Sequence, residues 1–195
     1  MQSENARSPS QPVSAFVTGG SGFVGSRLIS LLVDRGWHVK ALARSLGAVV
    51  AVEEAGATAV PGDLDDLGSL KTGMEGCSVA FHVAAQFKLW GSRASFERAN
   101  VEGTRHIVES ALATPGLRRV VAVSAAAVVM GDPEPMLDVD ESLPLQTRPF
   151  APYSSSKAEG ERILLSANGR RPDFETIAIR PPFIWGAGMP TLYHM

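Results

Sequence analysis

Tyr153 and Lys157 stand four residues apart in the stretch APYSSSKAEGERIL, Ala151 to Leu164. On a helix that spacing puts both side chains on one face, where they can point at a single site. A tyrosine hydroxyl titrates near 10, so acid/base work at neutral pH requires lowering it to about 7, which takes roughly 4 kcal/mol of differential stabilisation. A neighbouring ammonium supplies part of that. The same two residues also occur together on helices that do no chemistry, as ordinary surface positions. Their surroundings decide between the two.

A second constellation lies near the start of the chain. TGGSGFVG follows an apolar run and sets Gly19, Gly22 and Gly25 three residues apart as an amphipathic pattern begins. At a helix N-terminus the unpaired N–H groups and the dipole favour an anion, and absent side chains let a pyrophosphate approach. The bland alternative is a tight strand-to-helix turn, but placement between strand and helix favours a dinucleotide. Phe23 and Val24 belong to the same loop, although their side chains suit the core. The next apolar run, ALARS, ends in Arg44 with no Asp or Glu at Ala43 or Ser45. An acidic residue there would accept from a ribose 2′-hydroxyl, whereas an arginine pairs with a 2′-phosphate. NADP(H) is therefore favoured, with NAD(H) the alternative.

The elements that must position these groups alternate short apolar runs with helical patterns. Strands are expected over Val13 to Thr18, Trp37 to Ala43, Ala57 to Val60, Val79 to Val83, Arg119 to Ser124 and Phe174 to Arg180. A first helix is expected with Val24, Leu28, Leu31 and Leu32 on one face and a stop at Gly36, and others near Leu46 to Ala55, Asp66 to Gly73, Ser95 to Thr114 and Tyr153 to Asn168. Strands apolar throughout and separated by helices imply a parallel sheet covered on both faces, an open doubly wound α/β fold. A stretch from Gly131 to Pro152 carries five prolines and follows the fifth strand, where ligand contacts gather in such folds.

Composition narrows the partners. With 195 residues, 45% hydrophobic and 19% charged, the chain suits one globular domain over residues 13–195 behind a flexible polar tail, residues 1–12. A net charge of -2 argues against a nucleic-acid surface. One cysteine, Cys77, excludes an internal disulfide and suits a small core residue; four scattered histidines offer no metal spacing. No apolar run is long enough for a membrane span and the tail is not a signal peptide, so a cytoplasmic address with no membrane partner is expected.

Six pieces in order, TGGSGFVG, GDLDD, HVAA, ANVEGT, YSSSK and RPPFIWG, resemble the extended short-chain dehydrogenases/reductases, the NAD(P)-dependent epimerase/dehydratase group, from about residue 13 to the chain end. The 3β-hydroxysteroid dehydrogenase and dihydroflavonol reductase branch is the nearest in flavour, on Arg44 and HVAAQFKLWG. The resemblance implies a Rossmann-like sheet and a nucleotide-binding oxidoreductase moving hydride to or from a secondary alcohol or ketone, with Tyr153 moving the proton and Lys157 also holding the nicotinamide ribose. It further implies Asp63 and Leu64 beside the adenine, Ala84 and Ala85 against the nicotinamide ribose, and Asn100 ordering its own helix and a nearby water. Asp63 capping the next helix and a solvent-facing Asn100 are the bland alternatives.

Two departures stand out. The family places a substrate-binding hydroxyl just past the fifth strand, but VAVSAAAVVMG puts alanine at both counted positions, Ala125 and Ala126, leaving Ser124 as the nearest hydroxyl. Members also continue beyond RPPFIWG with a C-terminal substrate region, so a fragment or truncated product is expected, with an exposed sheet edge that favours a homo-oligomer. Two other functions compete: a sugar-nucleotide epimerase/dehydratase with bound NAD, and a catalytically silent dinucleotide-binding module.

Overall fold

The computed structural model describes residues 13–87, 91–130, 137–145 and 151–189. The tail and half of the proline-rich stretch, including Pro133, Pro135 and Pro149, lie outside the described residues. Six parallel strands form one sheet in the order β3-β2-β1-β4-β5-β6. They are β1 (Ser14–Thr18), β2 (His38–Ala43), β3 (Thr58–Pro61), β4 (Val79–His82), β5 (Arg119–Val123) and β6 (Glu175–Ile179), each within a residue or so of its expected place.

The central strand shows why the runs are apolar throughout. Phe16 faces a core with Leu70, Met74, Ile107 and Leu164, while its neighbours Ala15 and Val17 face Ile29, Leu32 and Val52 on the other side. Helices α1 (Phe23–Asp34) and α2 (Leu46–Glu54) cover the second face; α3 (Leu67–Met74), α5 (Gly103–Ala113) and α6 (Pro152–Ser166) cover the first. Each large side chain buried this way contributes roughly 1.5–3 kcal/mol, so the two half-cores hold the sheet from both sides. Cys77 is buried in the first.

Three expectations need correction. The buried stripe of α1 is Gly25, Ile29 and Leu32, and Leu31 is exposed, because Gly25 must press against the preceding loop and that rotates the helix. The long helix expected from Ser95 to Thr114 is three pieces: α4 (Arg93–Phe96), a π-helical turn (Glu97–Glu102) and α5. Such wide turns concentrate at functional positions, and this one carries Asn100. Cover on both faces also fails at one edge: Ile177 and Ile179 of β6 are 42% and 49% exposed, and no described helix packs over them. Among the described residues β6 is the last strand of the order.

Candidate active-site cleft

All the loops that could hold a ligand leave the carboxyl ends of the strands, as the parallel sheet requires. After β1 the chain turns at Gly19 with φ +73°; a Cβ there would lie 2.6 Å from Ala84 N, so only glycine lets the exits of β1 and β4 touch. Gly25 is held as closely, because its Cβ would lie 2.1 Å from Gly19 O. The N-cap of α1 is Gly22, which makes no side-chain cap, and its first turn holds no acidic residue. The helix start therefore keeps its N–H groups and positive end available for an anion. Phe23 and Val24 are half-buried on the cleft wall rather than in either core, correcting the expectation from their side chains.

Arg44 is exposed at the end of β2, where Ser45 caps α2 by accepting from Ala48 N (3.2 Å). After β3, Asp63 Oδ1 accepts from Leu64 N (2.7 Å), while the cap of α3 is Asp66, accepting from Gly68 N (3.0 Å) and Ser69 N (3.2 Å). Capping is thus not what Asp63 does. After β4, Ala84 and Ala85 lead into Gln86, whose N–H donates to Asn100 Oδ1 (2.8 Å) and whose carbonyl accepts from Asn100 Nδ2 (3.2 Å). Asn100 Nδ2 also donates to Ser156 Oγ (3.0 Å). Far from facing solvent, Asn100 is buried and ties the β4 exit to the first turns of α6.

One cleft of about 930 Å³ gathers Gly19, Gly22, Phe23, Val24, Gly25, Arg44, Asp63, Leu64, Ala84, Ala85, Ser124 and Tyr153. The expected residue that it does not gather is Lys157, which lines a small adjoining cavity with His82, Ser124 and Glu161. Tyr153 and Lys157 share a helix face as their spacing requires, yet the lysine ammonium is turned to the last carbonyl of β5, donating to Val123 O at 2.7 Å. Burial brings its pKa down to about 8, with Glu161 pulling the other way. The Tyr153 ring meets Phe87 edge-on at 5.2 Å and Phe96 at 6.3 Å, and burial pushes its hydroxyl up. The chain by itself thus moves Tyr153 opposite to the lowering that base chemistry needs.

Ser124 lines both spaces, but its hydroxyl donates to Glu161 Oε2 at 2.5 Å. Glu161 Oε1 accepts from Arg180 Nε (2.9 Å) and Nη2 (2.6 Å). Beside this pair His82 is fully buried between Thr18 Oγ1 at Nδ1 (2.8 Å) and Thr104 Oγ1 at Nε2 (3.2 Å). Thr104 gives its own proton to Asn100 O (2.7 Å), so it must accept from Nε2–H, leaving Nδ1 to accept from Thr18. The imidazole is neutral; burial and then the Lys157 charge hold its pKa near 3. His82, Glu161 and Arg180 were missed from sequence, though Glu161 lies one turn past Lys157 and HVAA and RPPFIWG contain the other two. Among the described residues no cluster could hold a metal, and no helix is long and apolar enough to cross a membrane.

A uncapped helix start, a glycine floor and a tyrosine at the far wall form one continuous cleft, and the family model for the 3-beta hydroxysteroid dehydrogenase/isomerase family matches residues 16–195. The chain belongs to that family. A 4-hydroxy-2-methyl-3-oxo-4-farnesyl-3,4-dihydroquinoline-1-oxide ketoreductase of Stigmatella aurantiaca is 48% identical over 88% of this chain and 50% of its own. A 2-alkyl-3-oxoalkanoate reductase of Shewanella oneidensis is 33% identical over 91% of this chain and 46% of its own. Among solved structures, a short-chain dehydrogenase/reductase superfamily protein from Agrobacterium tumefaciens with bound NAD superposes with a TM-score of 0.71, at 29% identity, over 86% of this chain and 48% of that one. The chain therefore spans about half the length of the curated family relatives it matches.

Proposed function

We propose that this chain carries the dinucleotide cleft and the acid/base tyrosine of an oxidoreductase that moves hydride between NADP(H) and a secondary alcohol or ketone. The carrying observation is the single cleft that runs from the glycine loop and Arg44 to Tyr153. The residues present suit a dinucleotide: the uncapped start of α1 for the pyrophosphate, Arg44 for a 2′-phosphate, Asp63 and Leu64 for the adenine, and Ala84 and Ala85 for the nicotinamide ribose. When bound, such a cofactor supplies the hydride and, in its oxidised form, a positive ring. Tyr153 gives or takes the proton at the substrate oxygen. Lys157 supplies the fixed cation beneath it, and Ser124 could assist at that oxygen only by releasing Glu161. Both reductases named above support the ketone side of the reaction, and the NAD in the Agrobacterium protein makes NAD(H) the competing cofactor.

A silent dinucleotide-binding module is the second reading. It is favoured by Ser124 being engaged with Glu161 and by the alanines at 125 and 126. Assay of NADPH oxidation against a panel of apolar 3-oxo esters and cyclic ketones separates the two. Turnover that falls at least about 100-fold in Tyr153→Phe supports the enzyme, and wild-type protein that binds cofactor but turns over nothing supports the module.

A further inference from the structure

We propose that Glu161 is a positioning residue for the Tyr153/Lys157 pair, with Ser124 and Arg180 holding its carboxylate. The proposal rests on the oxidoreductase reading for its catalytic consequence and on geometry for its substance. Lys157 and Glu161 lie one turn apart on the buried face of α6, 8% and 3% exposed. They grip consecutive residues of the β5 exit: Lys157 donates to Val123 O (2.7 Å), and Glu161 accepts from Ser124 Oγ (2.5 Å). Arg180, the residue after β6, closes the set with two bonds to the other carboxylate oxygen, at 2.9 and 2.6 Å. Helix α6 is thereby fastened to the ends of two strands, one and two turns beyond Tyr153. Ala151 at the N-cap makes no side-chain cap, and the first turns are tied instead to Asn100 through Ser156 Oγ (3.0 Å).

Charge makes the carboxylate more than a clamp. The titratable or charged groups around the Lys157 ammonium are Glu161 and Tyr153 on its own helix, neutral His82 on β4 and Arg180 past β6. Without Glu161 the buried Lys157 ammonium would keep no carboxylate beside it, and burial disfavours its charged form. Glu161 is the single negative group there among the described residues, so it keeps Lys157 protonated where the proton chemistry needs a cation. Ser124, on this account, acts through Glu161 rather than on substrate.

The test follows Lys157 directly. The 13Cε resonance of Lys157, assigned by its loss in Lys157→Met, is titrated in wild type, Glu161→Gln and Glu161→Asp, alongside the pH profile of kcat for NADPH oxidation. In Glu161→Gln the lysine titration moves down by about one pH unit or more, and the alkaline limb of kcat moves with it. Cofactor KM changes less than kcat, and Glu161→Asp returns the titration toward wild type. A Lys157 titration that stays put in Glu161→Gln overturns the proposal. Should that variant not fold, the triple variant Glu161→Met, Arg180→Met and Ser124→Ala replaces it, removing the carboxylate together with both groups that bond to it, and the same unmoved titration overturns the proposal. A shifted lysine in a protein that turns over no ketone would sink the oxidoreductase reading and leave Glu161's hold on Lys157 standing. An unshifted lysine in an active enzyme does the reverse.

Discussion

The rim of the cleft and the cluster beneath α6 are built on opposite rules. At the rim, the chemistry is carried by backbone and by groups with room around them: an uncapped helix start, glycines that admit close approach, and an exposed Arg44. Under α6, Glu161 is held by Ser124 and Arg180, Lys157 donates to Val123 O, and His82 is held between Thr18 and Thr104. One region is shaped to receive charge from outside; the other balances its own. The first should answer to ligand and salt, and the second to burial and pH.

Removing a partner from the sealed cluster is the harshest way to break this contrast. Arg180→Met leaves Glu161 buried without its cation, and urea unfolding should record a loss of about 3–5 kcal/mol. A loss under about 1 kcal/mol would mean that the cluster is hydrated and no different from the rim. Next comes acid. The folded pKa of His82 is held near 3 while its unfolded value is near 6.5, so between those limits the unfolded chain binds a proton that the folded chain does not, and stability falls as pH falls. From pH 6 to pH 4 wild type should lose about 2 kcal/mol more than His82→Gln, measured by urea unfolding at both pH values. Equal losses would show that His82 titrates normally.

At the rim the effects are smaller and specific to ligand. Arg44→Ala should weaken NADPH about tenfold by calorimetry and leave NADH unchanged; equal weakening of both would assign Arg44 to something other than the 2′-phosphate. Smallest is the exposed pair Arg93 and Glu97, 2.7 Å apart on the surface of α4 and the π turn. Glu97→Ala should move the melting temperature by less than about 1 °C, and a larger shift would show that surface pairs here carry stability too.

The same contrast explains what could be read from the chain alone. Strand positions were legible because a strand buried on both faces must be apolar at every residue, and the glycine loop was legible because backbone approach excludes side chains at Gly19 and Gly25. Arg44 was legible from its place at a strand end and Tyr153 from its spacing to Lys157, whereas Asp63 and Ala84 came from the family resemblance. What stayed hidden depends on distant pairing. Nothing local says that Glu161 is buried, since its partner Arg180 is 19 residues away, and nothing local turns Lys157 toward Val123. The π turn was invisible for a similar reason: it exists where Asn100 bonds to the backbone of Gln86, 14 residues earlier. The face of α1 was misread because a small residue, Gly25, decides it and hydrophobicity does not see glycine.

The most direct test of the central claim is a calorimetric titration of the wild-type chain with NADPH and, separately, NADH. Saturable binding of about one NADPH per chain, tighter than NADH and weakened by added salt, is the predicted result. No heat and no saturation with either dinucleotide, from protein that is folded by its melting curve, would contradict it.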